Sequence, residues 1–126
     1  MRLLWIGLGG AIGSILRYLL SGVAQNAVPR STFPIGTLIV NVCGCFAIGV
    51  LAELVESRGF MAPGTRSFLM VGLIGGFTTF SAFASETVNA ARDGASGVAV
   101  LNVALNLALG LAAVWLGRIT VVQIGR

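Results

Sequence analysis

Apolar residues dominate four stretches of this chain, at about 3–24, 36–55, 67–91 and 98–123. A helix needs about 20 apolar residues to cross a bilayer, so each stretch is long enough to span one. The connections carry the breaks in pattern: 25–34 with Pro29, Arg30 and Pro34, 56–66 with Pro63 and Gly64, and 92–97. The expectation is an all-α integral membrane protein with four transmembrane helices in one domain covering residues 1–126. The first stretch carries Arg2 and small residues near Ala24 and Ala27, somewhat like a signal peptide. Arg17 interrupts its apolar core and three more spans follow, so it reads as an uncleaved first helix.

Polar groups at membrane depth are costly, so each needs a reason. They are Arg17, Thr37, Asn41, Thr78, Thr79, Ser81, Ser85, Glu86, Asn102 and Asn106. Single Ser and Thr residues can bond their own helix backbone. An Asn is often glue between helices, a role open to Asn102 and Asn106. The segment GGFTTFSAF, residues 75–83, is different. Gly75-Gly76, then Thr78-Thr79 and Ser81, predict that the third helix is broken near its middle. A break frees carbonyls on one half-helix and amides on the other. In lipid these must be covered by protein or line a cavity, where carbonyl ends face cations and amide ends face anions. Phe80 and Phe83 follow at i, i+3 and share a face that continues to Glu86 and Thr87. Two such rings are ordinarily core or lipid-facing, but an aromatic ring edge is partly positive and can contact an anion.

Small residues recur at helix-packing intervals: Gly9 with Gly13, Gly72 with Gly76, and Ala104, Ala108 and Ala112. They predict a tightly packed bundle, shared between chains. Cys43 and Cys45, at i, i+2, point to different helix faces and read as small buried packing residues.

Composition sharpens this picture. The chain has 126 residues, 56% hydrophobic and 10% charged, with mean hydropathy +0.97. A soluble domain carries about a quarter charged residues. All eight cations are Arg, and there is no His, which disfavours a zinc or haem site. The net charge of +4 does not mark a nucleic-acid binder, because the arginines sit mostly at span ends. With four spans, Arg2, Arg58, Arg66, Arg118 and Arg126 fall on one side, and Arg17, Arg30 and Arg92 on the other. Five against three is a weak orientation bias, which permits insertion both ways and an antiparallel dimer.

FPIGTLIVNVCGCFAIG in the second span and GGFTTFSAFASET in the third resemble the Fluc (CrcB) family of fluoride channels. The size, the four spans and the early LRY containing Arg17 also match. The resemblance implies a fluoride-selective channel in the prokaryotic plasma or inner membrane, passively exporting fluoride. It implies a dual-topology antiparallel homodimer with two pores of opposite polarity. Asn41 would donate to fluoride, Phe80 and Phe83 from opposite subunits would line each pore, and Thr37, Ser81 and Glu86 match polar pore positions. Backbone carbonyls of Gly75 and Thr78 from both chains would hold one structural sodium ion, Na+, at the centre. Arg17, Gly76 and Thr79 would be structural. Family members often carry Tyr, Ser or Thr along the pore-facing side of the fourth span; the matching positions here are Asn102, Asn106 and Gly110. The resemblance thus implies that Asn102 and Asn106 line the fluoride pore, with amides that can still donate hydrogen bonds. No catalytic cluster supports an enzyme. Two rivals remain: a small dual-topology multidrug/proton antiporter, for which Glu86 is the only carboxylate well inside a span, and a non-transporting membrane assembly subunit.

Overall fold

The computed structural model describes residues 1–59 and 61–125, without the side chain of Arg58; Arg126, one of the arginines counted above, lies outside the described residues. The described residues are helical, with no strand among them. Helix α1 (Arg2–Asn26) is followed by α2 (Ile35–Arg58). The third span begins with α3 (Pro63–Arg66), continues as a π-helical stretch (Ser67–Ile74) and closes its first half with α4 (Gly75–Phe77). After the break come α5 (Phe80–Arg92) and α6 (Ser96–Ile124). Among the described residues, four helical segments are long and apolar enough to cross a membrane: Arg2–Asn26, Ile35–Ser57, Pro63–Arg92 and Ser96–Ile124.

The boundaries follow local chemistry. Pro63 starts the third span at a first-turn position, where its missing amide costs nothing. That start is four residues before the one expected from apolarity, because Pro63 and Gly64 read as loop. Helix α2 ends on Gly59, whose positive φ of 57° is the left-handed conformation that favours glycine. Gln25 ties the first connection together: its Nε2 donates to the Phe33 carbonyl at 3.4 Å, and the Gly36 amide donates to its Oε1 at 3.3 Å.

Two seams organise the bundle. Helix α1 packs chiefly on the first half of the third span, and α2 chiefly on α6. The first seam is made by glycine. A Cβ on Gly13 would overlap the Leu73 carbonyl, and one on Gly9 the Phe68 carbonyl. A Cβ on Gly72 would come within 2.7 Å of the Ile6 carbonyl, and one on Gly76 within 2.5 Å of the Gly10 carbonyl. The two G-x-x-x-G pairs therefore meet each other inside one chain. The tight packing expected of these small residues is thus found within the chain, between α1 and the third span. In α6 the inward stripe is Ala99, Asn102, Gly110, Ala113, Gly117 and Val121, while Ala104, Ala108 and Ala112 are exposed. Cys43 is exposed as well and Cys45 is half-buried, so Cys43 is not the buried packing residue expected. In the apolar stretch of 18 residues within each span, only 11% to 22% of the residues are buried by the chain itself.

Candidate functional site

The third span leaves helical geometry at Thr78 (φ −79°, ψ 154°) and Thr79 (φ −146°, ψ 111°). Both are β-branched residues, for which extended backbone is favourable. Gly75 is helical (φ −62°, ψ −36°) and Gly76 lies in α4, so the glycines do not make the break. Gly76 instead lets the helix touch α1 at Gly10, while a Cβ on Gly75 would meet nothing within 4 Å. The break is where GGFTTFSAF placed it, but threonine makes it.

Side chains satisfy the opened backbone. The Thr79 amide donates to Asn41 Oδ1 at 2.9 Å, and Asn41 Nδ2 donates to the Thr79 carbonyl at 3.2 Å. Asn41 thus pairs with the extended residue as a neighbouring strand would. Thr79 also caps α5: its Oγ1 accepts from the Ala82 amide at 3.1 Å, the usual task of a Thr before a helix. Thr78 donates its hydroxyl back to the Ile74 carbonyl at 3.0 Å. These bonds divert two amides. In a continuous helix the Thr79 amide would serve the Gly75 carbonyl, and the Ala82 amide the Thr78 carbonyl. Both donate elsewhere. Those are the two carbonyls expected to face a cation, and hard cations take oxygen ligands of this kind.

Polar groups from three helices gather around the break. Thr37 donates to Glu86 Oε1 at 2.6 Å, while Glu86 Oε2 is buried without a hydrogen-bond partner among the described residues. Asn41 Nδ2 also donates to Asn106 Oδ1 at 3.1 Å. Ser81 is exposed, with its Oγ 3.3 Å from Thr79 Oγ1. The Phe80 and Phe83 rings stand 5.5 Å apart at 58° within the same chain. Phe83 is buried, whereas Phe80 is 78% exposed.

Two open cavities flank the break. One, of about 590 Å³, is lined by Arg17, Thr37, Thr79 and Glu86 among others. The other, of about 440 Å³, is lined by Asn41, Gly75, Thr78, Thr79, Phe80, Phe83 and Asn106 among others. Thr79 borders both. The structure therefore divides the expected site residues: Arg17, Thr37 and Glu86 stand on one side, Asn41, Phe80, Phe83 and Asn106 on the other. Asn102 lines neither cavity and is 1% exposed. Sequence reasoning missed Thr87, which accepts from Asn102 Nδ2 at 2.9 Å. Its position on the face of Phe80, Phe83 and Glu86 was the available signal.

Residues 4–118 match the family described as CrcB-like protein, Camphor Resistance (CrcB). Three similar proteins carry the name fluoride-specific ion channel FluC. That from Opitutus terrae is 52% identical over 122 residues, 94% of this chain and 91% of the relative. That from Paramagnetospirillum magneticum is 48% identical over 123 residues, with 96% and 95% covered. That from Solibacter usitatus is 47% identical over 119 residues, with 94% and 97% covered.

Proposed function

We infer a fluoride channel from one premise: the chain belongs to the CrcB-like family. It is a multi-pass membrane protein and not an enzyme. Relatives covering nearly the whole chain are named for fluoride-specific conduction, and the same ion is proposed here. The observation that carries the pore reading is the break at Thr78–Thr79, with a cavity on each side and Thr79 bordering both.

Arg17 gives one cavity a fixed positive charge, which raises the local concentration of an anion. Thr37 and Glu86 line that cavity, with Ser81 exposed beside Thr79. Across the break, fluoride meets the ring edges of Phe80 and Phe83 and the amide side of Asn41. Neutral donors and ring edges hold an anion without trapping it, which conduction requires. Asn41 has both amide hydrogens engaged, with Thr79 and Asn106; fluoride passing it competes for these bonds. Export is passive, driven by the membrane potential, and relieves fluoride toxicity in the cell.

The working unit is an antiparallel homodimer with two pores of opposite polarity, in which Phe80 of one chain faces Phe83 of the other. The exposure of Phe80 and Gly75 on one chain supports a partner there. A sodium ion on the dimer axis would be held by the Gly75 and Thr78 carbonyls of both chains. The diversion of both helical donor amides fits these carbonyls to that role. Sodium would supply a fixed positive charge and join the two breaks.

Efflux from liposomes holding the purified protein, loaded with fluoride and chloride and given valinomycin, tests the reading. Fluoride should leave rapidly while chloride stays. Release of neither ion from a folded dimer would overturn it and return the antiporter and assembly-subunit alternatives.

A further inference from the structure

We propose that Asn106 and Asn102 are positioning residues, rungs of a one-directional amide ladder that fixes Asn41 on the break and braces the turn carrying Phe80 and Phe83. Its consequence for conduction rests on the channel reading above.

The direction of the ladder follows from one backbone group. The Thr79 amide can only donate, so Asn41 must present its oxygen there, at 2.9 Å. That sends Asn41 Nδ2 towards α6, where it donates to Asn106 Oδ1 at 3.1 Å. Asn106 must then turn its own Nδ2 to Asn102, donating to Oδ1 at 2.9 Å and to the carbonyl at 3.0 Å. Asn102 in turn donates from Nδ2 to Thr87 Oγ1 at 2.9 Å. The Thr87 hydroxyl, already accepting, donates onward to the Phe83 carbonyl at 2.8 Å. Flipping Asn41 or Asn106 sets donor against donor and acceptor against acceptor at its neighbours, and flipping Asn102 sets its amide nitrogen against that of Asn106.

Geometry makes the ladder a closed brace. It starts at Thr79, the N-cap of α5, crosses α2 and α6, and returns to α5 at the Phe83 carbonyl. The turn between those ends carries both rings. The spacing suits α6, since residues four apart share one face. Asn102 is 1% exposed, so no solvent can replace a lost rung there. Linked buried hydrogen bonds polarise one another and act as a unit. Asn102 therefore acts on the pore through Asn106 and Asn41, not by touching the ion.

The test pairs flux with exchange. Fluoride efflux from liposomes is measured for Asn106→Leu, Asn102→Leu and the double variant, together with deuterium exchange of the Thr79 backbone amide. Each single variant should lower fluoride flux about tenfold or more and speed exchange at Thr79. The double variant should lose no more than the worse single one, because one broken rung already opens the brace. Asn106→Asp, nearly isosteric, serves where a leucine variant fails to fold. Its carboxylate still accepts from Asn41 but has no proton for Asn102, so it should behave as the leucine variants do. Losses that multiply in the double variant would overturn the proposal, since separate contacts with the ion predict that. Wild-type flux and wild-type Thr79 exchange in either single variant would overturn it too. Exchange at Thr79 reads the ladder without fluoride, so a parent chain that carries no fluoride while Thr79 exchange still depends on both asparagines would sink the channel reading and leave the ladder standing.

Discussion

Phe80 and Phe83 lie one helical turn apart, yet one is 78% exposed and the other 9%. Phe83 faces its own chain, and its carbonyl anchors the hydrogen bond from Thr87. Phe80 presents a ring to whatever lies beside the chain. If both rings meet fluoride, Phe80→Ile and Phe83→Ile keep apolar bulk but lose the positive ring edge. Each should reduce fluoride efflux from liposomes by tenfold or more, on the order of 1.4 kcal/mol in barrier, with the proposed dimer still assembled. Normal conduction by both would end the ring-edge role. Asn41→Asp is more disruptive for its size. An oxygen would replace Nδ2 opposite the Thr79 carbonyl and Asn106 Oδ1, two acceptors that need a donor. Efflux should be suppressed, and unchanged efflux would remove Asn41 from the site.

At the scale of elements, the seam between α1 and the third span depends on bare backbone. Gly13 and Gly22 lie on the same helix but differ in surroundings. A Cβ on Gly13 would overlap the Leu73 carbonyl, whereas one on Gly22 meets nothing within 4 Å. Gly13→Ala should therefore destabilise the protein by about 1–3 kcal/mol, as overpacking does. Gly22→Ala should leave stability unchanged or raise it by about 1 kcal/mol through helix propensity. Thermal unfolding in detergent separates the two; equal melting temperatures would mean the seam can open without cost. The π-helical stretch Ser67–Ile74 lies along this same seam. Apolar periodicity does not reveal it, because the run is apolar on every side, and π-geometry answers to local packing.

The whole molecule leaves much of its apolar surface uncovered, including Val71 and Phe80 of the third span. Lipid covers part of it, and the proposed second copy covers the face of the break. Two outcomes check this arrangement. A tag on the C-terminus should be reachable from both sides of the membrane in cells, as the weak five-to-three arginine bias allows; labelling from one side alone would exclude dual topology. Replacing all sodium by a large organic cation should lower fluoride flux and restoring sodium should recover it, whereas flux indifferent to sodium would rule out the proposed sodium on the proposed dimer axis. The salt bridges of Arg118 with Glu53 at 3.2 Å and Glu56 at 2.7 Å join α2 to α6 near one membrane face.

Four spans could be read from apolar run length alone, because lipid demands about 20 residues from any helix that crosses it. Their ends moved by a few residues, where Pro63 starts a helix as readily as it ends a loop. The position of the break was legible too, since clustered glycine and threonine have no place in an unbroken apolar helix. Its cause was not. Whether Gly76 opens a helix or lets one approach depends on what stands opposite, and Gly10 is sixty-six residues away in the chain. Asn41, Asn102 and Asn106 were visible as polar groups that needed partners. That they serve one another, in one direction and ending on Phe83, was decided only when α2, α5 and α6 packed, because a hydrogen bond between distant helices exists only in three dimensions.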